Sequence, residues 1–202
     1  MSQLARFAFC LSVIAFCLRA VASEPDFSSV EDAIAQLYPG ESLLSSDPGD
    51  LNGDGRPEVA ATLRVEVEPE LPLRVVVFTT NEKGRLEKWT QTKPVAECRH
   101  STSIAIERQS LVLGCVHWLG IHGGTNSSEQ LRFIYRRGTL IEAGEDHEFI
   151  EDMNGPKEST KTVSRNFLTG EILETSNGKR TSKRSDATIK SEAIPLSSWE
   201  GW

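Results

Sequence analysis

The chain has 202 residues and a formal charge of −7, with 25% charged residues against 38% hydrophobic ones. That length suits one domain behind an export segment, and the acidic balance argues against nucleic acid or anionic lipid as a partner. The one basic run, Lys179-Arg180-Thr181-Ser182-Lys183-Arg184, follows Asn177-Gly178 and reads as a solvated loop or strand edge.

Residues 1–23 have the layout of a signal peptide. Arg6 supplies the positive start, Phe7 to Leu18 the apolar core, and Val21-Ala22-Ser23 the small residues for cleavage; a cut after Ala22 fits nearly as well. The apolar core is too short for a membrane-spanning helix, so no integral span is expected. Bulky Phe16 before Cys17 argues against a lipid anchor. Cleavage leaves residues 24–202 as a single β-rich domain, secreted or periplasmic, with Cys98 and Cys115 as its two cysteines. In an oxidising compartment these two pair, pinning the ends of a hairpin. A reactive redox pair is the rival reading, without the adjacent CxxC spacing, and a zinc site using the thiols with His100 or His117 is a further one, without finger or ribbon spacing to support it.

The first mature element is a short helix. Val30, Ala33, Ile34 and Leu37 recur at helical spacing, Asp26 or Ser28 supplies the cap, and Pro39-Gly40 ends it. Leu43 and Leu44 begin a short strand, and Asp47-Pro48-Gly49 reads as a turn ahead of Asp50-Leu51-Asn52-Gly53-Asp54-Gly55-Arg56-Pro57-Glu58. This stretch carries the strongest chemical signal in the chain. Asp50, Asn52, Asp54 and Glu58 place oxygen-bearing side chains at loop positions 1, 3, 5 and 9, and the Arg56 carbonyl falls at position 7. Such a set supplies hard donors to Ca²⁺, which takes about 6–8 oxygens. A helical EF-hand needs a bidentate Glu at position 12, where this chain has Ala61 leading into a valine-rich strand. The bland alternative is a polar turn built on Asn-Gly and Asp-Gly, which would leave the third carboxylate unexplained.

The pattern Asp-x-Asn-x-Asp-Gly-x-x-Glu leading into a strand resembles the calcium loop of FG-GAP/VCBS-type repeats, found on integrin-like β-propeller blades. The resemblance covers about residues 43–80 and implies direct ligation by Glu58, where Asp is more usual. With no second copy of the loop, a propeller does not follow. The single loop, the hairpin from Leu131 to Gly138 and the stretch Ser164 to Gly170 also resemble a group of uncharacterised bacterial secreted proteins, a likeness that brings no activity with it.

Beyond the loop, Val59 to Glu68 and Leu73 to Thr80 read as strands, the second apolar enough to lie centrally. Asn81 to Gly84 turns into Arg85 to Thr92, where Leu86 and Trp89 break parity and point to a bulge. Ser103 to Glu107 and Leu111 to Trp118 form a hairpin through Arg108-Gln109-Ser110. The segment from His117 to Asn126 is rich in glycine, histidine and aromatics, and offers Trp118, His122 and Asn126 as a binding loop; its plain reading is a long hairpin connection. Gln130 to Arg136 turns at Arg137-Gly138 into Leu140 onward, followed by an acidic stretch of Glu142, Glu145, Asp146, His147, Glu148, Glu151 and Asp152. That stretch reads as exposed strand and loop, with a second cation site or a carboxylate pair as the alternative. Thr160 to Leu168 and Glu171 to Thr175 pair through Thr169-Gly170, Ala187 to Pro195 is the last expected strand, and Ser197 to Trp202 docks or frays.

These elements predict a mainly β fold: an antiparallel sheet, sandwich or partly closed barrel with one short N-terminal helix. The functional expectation is an exported, non-enzymatic calcium-binding protein in which Ca²⁺ stabilises a strand-loop-strand connection, with an envelope or extracellular protein or glycan as partner. A periplasmic hydrolase or enzyme inhibitor using residues 117–126 is the alternative. The chain has neither a Gly-x-Ser-x-Gly elbow nor a His-Glu-x-x-His helix to favour it.

Overall fold

The computed structural model describes residues 25–66, 72–96, 98, 101–118, 126–151, 158–191 and 193–202; the expected export segment lies outside them. Among the described residues no helix is long and apolar enough to cross a membrane. Among the described residues the fold is mainly β, with two antiparallel sheets, one α-helix and no closed barrel. Strands β1 (Glu41–Gly49), β2 (Glu58–Val65), β3 (Leu73–Thr80) and β4 (Leu86–Gln91) form the first sheet in chain order. The second sheet is a seven-stranded meander of β5 (Ser101–Glu107), β6 (Ser110–Trp118), β7 (Asn126–Arg136), β8 (Thr139–Glu151), β9 (Ser159–Asn166), β10 (Glu171–Ser176) and β11 (Lys179–Ser185).

Turn chemistry explains why successive strands pair. Arg108-Gln109, Arg137-Gly138 and Asn177-Gly178 each put two positive-φ residues between strands, the backbone twist that two-residue hairpins require. The first of these turns is therefore one residue shorter than the sequence suggests, with Ser110 already paired to Glu107. Between Val77 and Phe78 the β3–β4 register slips past Trp89, which is the bulge that its broken parity indicates.

The smaller sheet is covered on both faces. Leu73, Val75 and Val77 pack with Leu111, Leu113, Leu131 and Phe133 of the larger sheet, while Val76 and Phe78 pack with the helix α1 (Val30–Leu37) through Ala33 and Ile34. This two-sided burial accounts for the uninterrupted apolar run of β3. Ser29, rather than Asp26 or Ser28, caps α1: its Oγ accepts the Asp32 amide at 3.2 Å. Asp32 in turn accepts from the backbone and hydroxyl of Ser28, which fixes Ser28 one residue outside the cap.

Two further expectations are corrected. Asp47-Pro48-Gly49 is the end of β1, paired with Ala60, Val59 and Glu58, instead of a turn. Pro48 is tolerated because β1 is an edge strand. Asp47 instead joins the sheets, its Oδ2 accepting the Ile106 amide of β5 at 2.6 Å. Gly49 follows so closely that a Cβ there would lie 2.4 Å from Ile106 Cγ2. The segment Ala187 to Pro195 is not a strand: Asp186 accepts the Thr188 amide at 2.9 Å and starts a 3₁₀ turn, Thr188–Ser191, that buries Ile189 against Phe167 and Ile172. The C-terminal tail docks, with buried Trp199 edge-on to Phe133 and Trp202. The basic run forms β11, an exposed sheet edge.

The sheet junction generates a test. Asp47→Ala leaves the Ile106 amide without its acceptor and should lower unfolding free energy by about 1–3 kcal/mol, while Asp47→Asn retains most of it. Urea denaturation of both variants checks the order.

Candidate functional site

The 50–58 loop is shaped by its own side chains. Asp50 accepts the Gly53 amide at 2.7 Å and the Gly55 amide at 3.1 Å; Asn52 accepts the Asp54 amide at 2.8 Å; Asp54 accepts the Arg56 amide at 2.8 Å. Each side chain holds an amide two or more residues ahead, so the backbone curls, and Gly53 and Gly55 take the positive-φ positions (79° and 82°) that the curl needs. The loop lies beside the β5–β6 turn, where Gly53 faces Gln109.

Glu58 closes the loop from below. It is the first residue of β2 and fully buried, and its carboxylate accepts Leu51 N at 2.8 Å, Asn52 N at 3.2 Å, Asn52 Nδ2 at 3.1 Å and Thr79 Oγ1 at 3.2 Å. All four donors are neutral. Leu51 is thereby drawn into the core between the sheets. Asp54 turns the other way, to Arg56 Nη2 at 2.7 Å, and the Arg56 hydrogen bonds hold its carboxyl below the usual range. The structure thus joins Asn52 to Glu58 and Asp54 to Arg56. The three carboxylates of the loop do not gather within 4.8 Å of one another.

Cys98 and Cys115 form a disulfide with Cα atoms 5.6 Å apart. His117 Nε2 lies 3.0 Å from Cys115 Sγ. Closing a loop of this length contributes roughly 3 kcal/mol in the chain-entropy treatment. Trp118 and Asn126 pair at the ends of β6 and β7, while His122 lies outside the described residues.

A second cluster is only partly legible in the sequence, which offers Glu145 and His147 in an acidic stretch with a second cation site as its alternative reading but gives no sign of Glu129 or Arg165. On the face of the larger sheet that carries the core, Cys115, Glu129, His147 and Val163 form one cross-strand row, and Leu113, Leu131, Glu145 and Arg165 the next. His147 Nε2 stands 3.3 Å from Glu129 Oε1 and 3.3 Å from Glu145 Oε1, and Arg165 also pairs with Glu145. The ring stacks on Phe149. Burial raises the Glu129 carboxyl; burial also opposes ionisation of Glu145, but His147 and Arg165 hold that group below its ordinary value. The Glu145 carboxylate, aided by Glu129, raises His147. Glu145 and His147 alternate visibly in sequence, but Glu129 joins them only through the register of β7 on β8.

Comparison of the chain with protein-family models, with curated proteins and with solved structures finds no match. The chemistry of the two clusters therefore carries the functional argument.

Two outcomes test these geometries. Glu58→Ala strands the buried amides of Leu51 and Asn52 and should destabilise by about 2–4 kcal/mol, measured by urea unfolding. Because the folded His147 value is raised, its contribution is complete below the unfolded histidine value and is lost as pH rises through the folded one. With a chelator present, the stability difference between the parent and His147→Gln should accordingly be largest below the ordinary histidine value and shrink as pH rises above it, followed by thermal unfolding.

Proposed function

We propose that this is an exported, non-enzymatic calcium-binding protein in which Ca²⁺ braces the connection between β1 and β2. The observation that carries the reading is Glu58, a fully buried carboxylate bonded to neutral donors beneath a loop that holds two further acids. Three carboxylates fall within nine residues, and drawing them together around a divalent cation would offset the repulsion that such an approach entails. Asp50, Asn52, Asp54, the Arg56 carbonyl and Glu58 are the residues that would hold the ion, in the order that FG-GAP/VCBS-type loops use. Asp54 would exchange Arg56 for the cation. That exchange is a small barrier, since both side chains are solvent-exposed and their pairing is screened.

Without a position-12 carboxylate the affinity belongs to the extracellular range, with Kd on the order of 10⁻⁴–10⁻³ M. An ion held that weakly serves structure in a calcium-rich compartment and not intracellular sensing. At roughly ten times Kd, calcium should raise the melting temperature by roughly 3–6 °C. Asp54→Ala should abolish that rise in a calorimetric scan; an equal rise in the variant would remove the loop as the site.

A further inference from the structure

We propose that Glu129, Glu145 and His147 form a binding site for a borderline divalent transition-metal cation, with Zn²⁺ as its probe. The proposal stands apart from the calcium loop, which connects β1 and β2 in the smaller sheet and offers only oxygen donors, whereas these three residues lie on β7 and β8 of the larger sheet.

Spacing is the first argument. Around a tetrahedral ion bound at about 2.0–2.1 Å, neighbouring donor atoms sit about 3.3 Å apart. Both edges from His147 Nε2, to Glu129 Oε1 and to Glu145 Oε1, measure 3.3 Å, and the donor atoms of all three residues lie within 4.8 Å of one another. Two of the three edges thus already match the ligand spacing around such an ion, and the third lies within 4.8 Å.

The second argument is the state of the imidazole nitrogen. His147 Nε2 is shielded from solvent, yet it makes no hydrogen bond of acceptable geometry although two carboxylates flank it. A nitrogen in ordinary salt-bridging use points its N–H at one oxygen. Here it stands 3.3 Å from each of two carboxylate oxygens and is directed well at neither, an arrangement that a shared third body would satisfy. An imidazole with two carboxylates selects against calcium, which takes oxygen ligands, and toward zinc and its neighbours.

The surroundings complete the site. Phe149 stacks on the His147 ring at an interplanar angle of 11° and fixes its plane. Arg165 reaches Glu145 Oε1, the same oxygen that faces His147, from β9, so a bound ion would share that oxygen with the guanidinium. Glu129 and Glu145 project from neighbouring strands of a hydrogen-bonded ladder, which sets their spacing rigidly. Three protein ligands leave a fourth position for water or for a donor from another molecule.

The test is calorimetric titration of the purified protein with Zn²⁺, repeated on His147→Gln, Glu129→Gln and Asp54→Ala, with circular dichroism confirming that each variant is folded. One ion should bind per chain, His147→Gln and Glu129→Gln should each weaken it about tenfold or more, and Asp54→Ala should leave it unchanged. Co²⁺ in place of Zn²⁺ should give the visible absorption of a tetrahedral site in the parent and lose it in His147→Gln. Absence of saturable uptake, or unchanged affinity in either His147→Gln or Glu129→Gln, overturns the three-ligand site. Loss of zinc binding on Asp54→Ala overturns its independence from the loop. Failure of the calcium experiment leaves this outcome untouched, because the two tests share no ligand.

Discussion

A carboxylate without water must be surrounded by donors, and Glu58 meets that requirement in a way that shapes the β1–β2 connection. Its two oxygens take the amides of Leu51 and Asn52, the Asn52 side chain and the Thr79 hydroxyl. Those bonds draw Leu51 under the loop into the core between the sheets and tie the loop to β3. A buried charge that satisfied no donors would be unaffordable, and donors left without it would be nearly as harmful. The polar loop and the apolar core are therefore tied together, with half-buried Asp50 curling the loop and exposed Asp54 at its surface.

The second constraint is the mismatch in width between the sheets. Four strands cover only part of a seven-stranded meander, and β1 meets β5 through the Asp47–Ile106 bond and the close approach at Gly49. Where the smaller sheet covers the larger, the cross-strand rows are apolar, as at Leu111 with Phe133 and Leu113 with Leu131. Farther along the same face the row passes into Glu129, Glu145, His147 and Arg165, and then into a small apolar cluster closed by the Thr188–Ser191 turn. Charge on that face is confined between two apolar patches. Half-burial there strengthens the electrostatics among the four groups, which explains the opposed shifts of the two carboxyls.

Much of the architecture was legible in the chain. Local rules placed the hairpin turn at Arg137-Gly138, and the parity break at Trp89 marked the bulge, whereas Asn177-Gly178 reads only as the start of a solvated loop or strand edge and turns β10 into β11. Those signals are local because a two-residue turn or a bulge is decided by the backbone freedom of a few residues. Misreadings arose where a distant partner overrode local preference. Asp47-Pro48-Gly49 looks like a turn until the Ile106 amide offers Asp47 a partner, and Ala187 to Pro195 looks extended until Phe167 and Ile172 take Ile189 into their cluster.

Of the two clusters, the sequence by itself determined the first: Asp50, Asn52, Asp54 and Glu58 lie within nine residues, so a single local turn chemistry brings them to one loop. The second was decided by tertiary structure alone. The Arg137-Gly138 turn pairs Arg136 with Thr139, and continuing that register would set Glu129 opposite Asp146 and turn His147 to the far face. A one-residue bulge at Ala143 shifts the pairing so that Glu129 faces His147. Side chains alternate with period two along a strand, so one inserted residue exchanges the faces, and no pattern in the chain announces it.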